Sequence, residues 1–149
     1  MWVVVGAVVL GLAFGCYRLL TDGRFRGTHR VRDAETSVTE SAESAETPWT
    51  HVRAAVPDAT LGEKATLLQF SSAFCAPCRA TRRTLTEVAG LVPGVEHVEV
   101  DAEHHLDLVR SLGILRTPTT LVLDGAGNEV TRAAGAPRKE QVLAALGTV

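Results

Sequence analysis

The apolar positions of the chain divide it into three stretches with different patterns. They are an apolar run at residues 2–20, interrupted by Arg18, a polar stretch at 21–48 without apolar periodicity, and a region of alternating short patterns at 49–149. An apolar run of this length, as a helix, spans about 28 Å, close to the hydrocarbon thickness of a bilayer. We therefore predict a transmembrane helix at 1–20, a disordered linker at 21–48 and one domain at 49–149.

Within the third stretch, the spacing of apolar residues alternates between that of strands and that of helices. The predicted elements are a buried strand at 65–70, a helix from Ala76, a strand at Val95–Asp101, a short helix at 104–112, a strand ending at Leu123, a turn at 124–128, a strand at Glu129–Ala134 and a helix from Pro137 with Val142, Leu143 and Leu146 on one face. This order predicts an α/β domain.

Two cysteines, Cys75 and Cys78, lie where the first strand of this domain gives way to a helix. Unpaired N–H groups and the helix dipole stabilise an anion at this point, so the thiolate of Cys75 is the expected nucleophile. Cys78, one turn further on, can attack a mixed disulfide at Cys75 and release the partner. Pro77 suits the first helical turn because a backbone N–H at that position would have no partner within the helix, so proline loses no hydrogen bond there.

Two other interpretations of the cysteine pair compete with redox chemistry: a structural zinc site and a static disulfide. A structural zinc site needs four ligands, which would have to come from Cys16 or from the adjacent His104 and His105. A static disulfide across four residues closes too little chain to contribute much stability. The position between a strand and a helix favours the redox interpretation, and no metal or other cofactor is expected.

The region from Trp49 to Val149 resembles the thioredoxin family in its CxxC motif, in its order of elements and in Thr117-Pro118 followed by a β-branched strand. The resemblance implies a thioredoxin fold, a central mixed β-sheet flanked by helices, here behind one N-terminal transmembrane helix. It also implies a thiol-disulfide oxidoreductase that reduces partner protein disulfides and is itself reduced by an unidentified dithiol donor.

The resemblance also implies roles for single residues. Cys75 matches the attacking thiol, Cys78 the resolving thiol, and Pro118 the cis-proline that faces the CxxC motif. The backbone of Thr117 would then bind an extended substrate segment. Many thioredoxins have Trp and Gly where this chain has Phe74 and Ala76, which with Pro77 keep an apolar rim for substrate.

Three residues are expected to tune the cysteine pair. Gln69 stands where the family often carries a buried aspartate, and an amide cannot act as a base. His97 stands where thioredoxins often carry a lysine, so that either water or His97 could take the proton of Cys78; a role as a partly buried strand residue is the alternative. Arg79 follows the motif and favours a thiolate.

Charge bears on location and partners. The net charge is −2 and the basic excess is confined to the linker, so no nucleic-acid partner is predicted. Five arginines lie near the end of the apolar run or after it: Arg18, Arg24, Arg26, Arg30 and Arg32. The positive-inside rule thus predicts a single-pass cell-membrane protein, attached through residues 2–20, with a cytoplasmic domain. The alternatives are an envelope-facing reductase or oxidase for cytochrome maturation or secreted proteins, and a redox-inert binding module.

Overall fold

The computed structural model describes residues 2–21, 25–27 and 47–149, with the backbone alone for residues 3, 4, 18–21 and 25–27. In chain order the elements are α1 (Trp2–Thr21), β1 (Phe25–Gly27), α2 (Pro48–Ala55), β2 (Ala65–Ser71), α3 (Ala76–Leu91), β3 (Val95–Asp101), α4 (Leu106–Ser111), β4 (Thr119–Asp124), β5 (Glu129–Ala134) and α5 (Lys139–Leu146).

The described strands form one sheet in the order β1-β5-β4-β2-β3. Strands β2 and β3 are parallel, whereas β4 is antiparallel to both β2 and β5. All seven residues of β2 are buried, as expected for a central strand with both faces covered. The predicted mixed sheet flanked by helices is confirmed.

Each face of the sheet carries its own hydrophobic core. On one face Leu68 and Phe70 of β2 pack with Trp49 and Val52 of α2 and Leu108 of α4. On the other face the core joins residues of β2, α3 and α5, among them Ala65, Leu67, Leu85, Val88, Val142 and Leu146. Full burial of one such leucine or phenylalanine stabilises the fold by about 1.5–3 kcal/mol, so β2 is held from both sides.

Two elements were not predicted. Helix α2 begins at a reciprocal cap, in which the Thr47 hydroxyl accepts from the Thr50 N–H at 3.3 Å and the Thr50 hydroxyl accepts from the Thr47 N–H at 3.2 Å. Within the predicted linker, β1 pairs antiparallel with β5. Three residues are too few to show a strand period, and such a strand depends on the edge that it pairs with. Residues 22–24 and 28–46 of the predicted linker lie outside the described residues.

Two helices begin later than predicted. Helix α4 begins at Leu106 because Asp101 binds the preceding residues, accepting from the Glu103 N–H at 2.8 Å and contacting His104 Nδ1 at 2.9 Å. Helix α5 begins at Lys139 rather than at Pro137. Its buried face contains Val142, Ala145 and Leu146, whereas Leu143, predicted on that face, is exposed.

Helix α1 covers the apolar run predicted to be helical. Its described large apolar side chains are exposed: Trp2, Val5, Val8, Val9, Leu10, Leu12, Phe14 and Tyr17. In the part of the chain that the structure describes, no helix is long and apolar enough to cross a membrane. The transmembrane span predicted from the sequence is therefore not found there.

Two glycines allow a matched test of how closely the turn before β5 packs against Trp49. Gly127 has a φ of 85°, and a Cβ there would lie 2.5 Å from the Cβ of Trp49. Gly90, in α3, has nothing within 4 Å of its added Cβ. In urea unfolding, Gly127→Ala should lower the free energy of unfolding by about 1–3 kcal/mol, and Gly90→Ala should raise it by about 0.5–1 kcal/mol. Equal shifts in the two variants would contradict the close packing at Gly127.

Candidate redox site

The two cysteines of the motif are joined by a disulfide at the start of α3, with their Cα atoms 5.2 Å apart. Cys75 is the N-cap residue, and its sulfur accepts a hydrogen bond from the Cys78 N–H at 3.1 Å. Cys75 is half-buried, whereas Cys78 is 2% exposed. A partner can therefore reach the outer sulfur, and the N–H donor at that sulfur stabilises a thiolate there.

The backbone around the motif fixes the position of Cys75. The Cys75 N–H donates to the carbonyl of Ser72 at 3.3 Å, and the Cys75 carbonyl accepts the first helical bond from Arg79 at 3.3 Å. Pro77 lies in the first turn of α3 and takes none of these donor positions. The loop at residues 72–75, called the cysteine loop below, is thus held between the end of β2 and the start of α3.

The loop before β4 lies against this cysteine loop. Its Thr117–Pro118 peptide bond is cis, and Pro118 is buried. The hydroxyls of Thr117 and Ser72 are 3.1 Å apart, so the two loops touch. No backbone hydrogen bond of Thr117 forms within the described residues, which leaves its N–H and C=O available to an extended segment.

Large apolar side chains are exposed in both loops of the site. Phe74, next to Cys75 in the chain, is 100% exposed, and Leu115, two residues before Thr117, is 95% exposed. Ala76 and Pro77, also predicted to bind substrate, are exposed as well. Leu115 was not predicted; its signal is an apolar residue two positions before Thr117, outside any strand. Exposed apolar side chains in the loops that carry a reactive group are typical of an interaction surface.

Gln69 connects the resolving cysteine to His97. The fully buried Gln69 donates through Nε2 to the carbonyl of Cys78 at 3.0 Å, and its Oε1 lies 3.3 Å from Nε2 of His97. Because an amide oxygen can only accept, the hydrogen-bond network assigns a proton to His97 Nε2. Nδ1 of His97 then accepts from the Thr86 hydroxyl at 3.1 Å.

The charge of His97 follows from its surroundings. Burial lowers the pKa of His97 below its ordinary value of 6.5, Glu99 opposes this shift by raising the pKa, and Arg82 adds to it. The neutral ring is therefore favoured near pH 7. The unprotonated nitrogen of His97, Nδ1, faces Thr86 rather than Gln69. This orientation argues against direct proton transfer from Cys78 to His97.

A cavity of about 370 Å³ borders Cys78 on the side of β3. The residues on its wall include Cys78, Arg79, Arg82, Ser71, Glu99 and Asp101. Arg79, the third predicted tuning residue, thus faces the resolving side of the motif. Arg82 Nη1 contacts Glu99 Oε2 at 3.2 Å, so the cavity carries a partly neutralised pair of charges.

Comparison with known proteins gives the class of the chain. Residues 51–148 match the family described as Thioredoxin. The chain is 31% identical over 87 residues to Thioredoxin-2 of Pyricularia oryzae, a match that covers 58% of this chain and 50% of that protein. It is 30% identical over 100 residues to Thioredoxin H4-1 of Oryza sativa subsp. japonica, covering 66% of this chain and 73% of that protein.

A solved structure agrees with these matches. Thioredoxin F from spinach chloroplast is 25% identical, with a TM-score of 0.53, over 67% of this chain and 84% of that chain. The chain spans about half the length of the fungal protein and 55% of a second rice relative, Thioredoxin H2-1. The chain belongs to the thioredoxin family.

The burial of His97 predicts a pH dependence of stability. The lowered pKa means that the unfolded chain binds more protons than the folded chain just below pH 6.5. The free energy of unfolding should therefore rise with pH up to about 6.5 and level off above it. Urea unfolding from about pH 5 to 7.5 should show a shallower rise for His97→Gln than for the unsubstituted chain.

His105→Gln, at a histidine outside this network, is the control and should keep the original slope. An unchanged slope in His97→Gln would contradict the burial argument.

Proposed function

We propose that this protein is a thiol-disulfide oxidoreductase that reduces disulfides of partner proteins through the Cys75–Cys78 pair. The observation that carries the proposal is the unequal setting of the two sulfurs. Cys75 is half-buried and its sulfur accepts the Cys78 N–H, whereas Cys78 is buried. Thioredoxin homologues are thiol-disulfide oxidoreductases and act on protein disulfides.

The reaction follows from this geometry in two exchanges. In the reduced protein, the Cys75 thiolate attacks one sulfur of a partner disulfide, the partner S–S bond breaks, and one partner thiolate leaves. The Cys78 thiol then loses its proton and attacks the sulfur of Cys75, and the second partner thiolate leaves. Two electrons pass to the partner, and the Cys75–Cys78 disulfide is the product. An external dithiol donor reverses these steps.

A protein partner fits the surface around the disulfide. The open backbone groups of Thr117 can pair with an extended segment, and apolar contact is offered by Phe74, next to Cys75 in the chain, and by Leu115, two residues before Thr117. Apolar side chains exposed to this degree lose contact with water when a partner covers them, which contributes favourably to binding. The partner's cysteine would then lie next to the sulfur of Cys75.

Single-cysteine chemistry tests the proposed roles. In a Cys16→Ser background, which removes the exposed free cysteine, limiting iodoacetamide near pH 7 should modify reduced Cys75 at least about tenfold faster than Cys78. Peptide mass spectrometry gives both rates. Cys78→Ser should accumulate mixed disulfides with insulin, and Cys75→Ser should not.

Faster modification of Cys78 would reverse the two roles. Failure of the reduced protein to cleave insulin disulfides would favour the redox-inert binding module.

We also propose that the chain is attached to the cell membrane through α1 and that its thioredoxin domain faces the cytoplasm. The supporting observations are the eight exposed large apolar side chains of α1 and the five arginines near the end of the apolar run or after it. No helix in the described residues is long and apolar enough to cross a membrane. Attachment and orientation are therefore measured separately.

Two measurements on cells of the source organism separate attachment from orientation. The full chain should sediment with membranes, and a variant lacking residues 2–20 should not. In the Cys16→Ser background, a membrane-impermeant maleimide should label reduced Cys75 only after permeabilisation. Recovery of the full chain in the soluble fraction would contradict attachment, and labelling in intact cells would favour the envelope-facing alternative.

A further inference from the structure

The cavity beside Cys78 lies on the opposite side of the motif from the cis-proline. Its wall is built by the first turns of α3 and by the ends of β2 and β3. The cis-proline precedes β4, and β2 lies between β3 and β4 in the sheet. The cavity contacts the buried cysteine alone of the two, and Ser72, which also lines the cavity, has its hydroxyl 3.1 Å from that of Thr117.

The second exchange requires a group that accepts the proton of Cys78. Cys78 is 2% exposed, so its thiol has little direct contact with bulk water. The Gln69 amide is not a base, and the unprotonated nitrogen of His97, Nδ1, is bound to the Thr86 hydroxyl. The cavity is polar and large enough to hold water, which makes it the open route from the thiol.

Two carboxylates stand on the cavity wall, and their partners differ. Asp101 is held by the Glu103 N–H at 2.8 Å and by His104 at 2.9 Å. These contacts, the Glu103 N–H first, keep the pKa of Asp101 below its ordinary value and make it a poor proton acceptor. Glu99 has one described side-chain contact, to Arg82 at 3.2 Å, and its side chain is 28% exposed.

We propose that Glu99 accepts the proton of Cys78 through water in this cavity during release of the partner. The inference rests on the proposed function and adds a residue to its second step. The S–H bond of Cys78 breaks, the proton reaches the Glu99 carboxylate, and the freed sulfur attacks the sulfur of Cys75. The bond from Cys75 to the partner then breaks, and the departing thiolate takes up a proton from solvent. Glu99 releases to solvent the proton that it accepted from Cys78.

Charged neighbours of Glu99 lie on two elements. Helix α3 contributes Arg82 and Arg79, β3 contributes His97 and Asp101, and β2 contributes the neutral Ser71. Arg82 contacts the Glu99 carboxylate at 3.2 Å, so a test at Glu99 needs a control that breaks the same ion pair.

Rapid quenching separates the two exchanges. The reduced full chain, in the Cys16→Ser background, is mixed with excess cystine-linked peptide and quenched with acid, and mass spectrometry follows the mixed disulfide and the final Cys75–Cys78 disulfide. Glu99→Gln should slow the second step at least about tenfold and accumulate the mixed disulfide, with the first step unchanged. Glu99→Asp should restore much of the rate.

Arg82→Gln is the matched control because it breaks the same ion pair and leaves the carboxylate in place; it should keep a fast second step. Glu96→Gln, at an exposed glutamate of the same strand, should behave like the unsubstituted chain. An unchanged second step in Glu99→Gln would overturn the inference and leave the proposed function standing.

Equal slowing in Glu99→Gln and Arg82→Gln would also overturn the inference, because it would show that the ion pair acts only on structure. Failure of the unsubstituted chain to form the mixed disulfide would instead reject the proposed function.

Discussion

Strand β2 is buried along its whole length, and its carboxyl end leads into the loop that carries Cys75. Side chains of β2 enter the cores on both faces of the sheet, each buried leucine or phenylalanine contributing about 1.5–3 kcal/mol. Sliding β2 by one residue would exchange these two faces. The position of the disulfide is therefore set by the register of one strand, and every other group of the site is placed relative to it.

The one large polar side chain fully buried in β2 shapes the chemistry next to it. A carboxylate at Gln69 would lose its hydration, whereas the neutral amide is satisfied by the Cys78 carbonyl and by His97. The amide thereby stabilises the start of α3, yet it cannot receive a proton. Another group must then accept the proton of Cys78. Among the described residues, Glu99 lines the same cavity as Cys78.

The pattern of the sequence was enough to predict β2, a run of seven buried residues, and α3, whose buried residues recur at helical spacing. The strands β3 and β5, in which buried and exposed residues are mixed, were predicted together with the order of elements that resembles the family. The pattern could not reveal β1, whose three residues depend on the edge of β5. Cys75 and Cys78 were identifiable because their spacing itself carries the chemistry. Glu99 was not, because its place beside Cys78 arises from the pairing of β3 with β2, where Glu99 lies opposite Gln69.

The strand order brings the proposed partner surface and the cavity beside Glu99 to one edge of the sheet. The parallel strands β2 and β3 have their carboxyl ends at this edge, and the antiparallel β4 begins there. Because β2 lies between its two neighbours, the loop of Pro118 and the end of β3 lie on two sides of β2. Ser72 borders both, since it lines the cavity and its hydroxyl is 3.1 Å from that of Thr117. The two parts of the proposed reaction, partner release at Cys75 and proton acceptance from Cys78, would therefore take place next to each other.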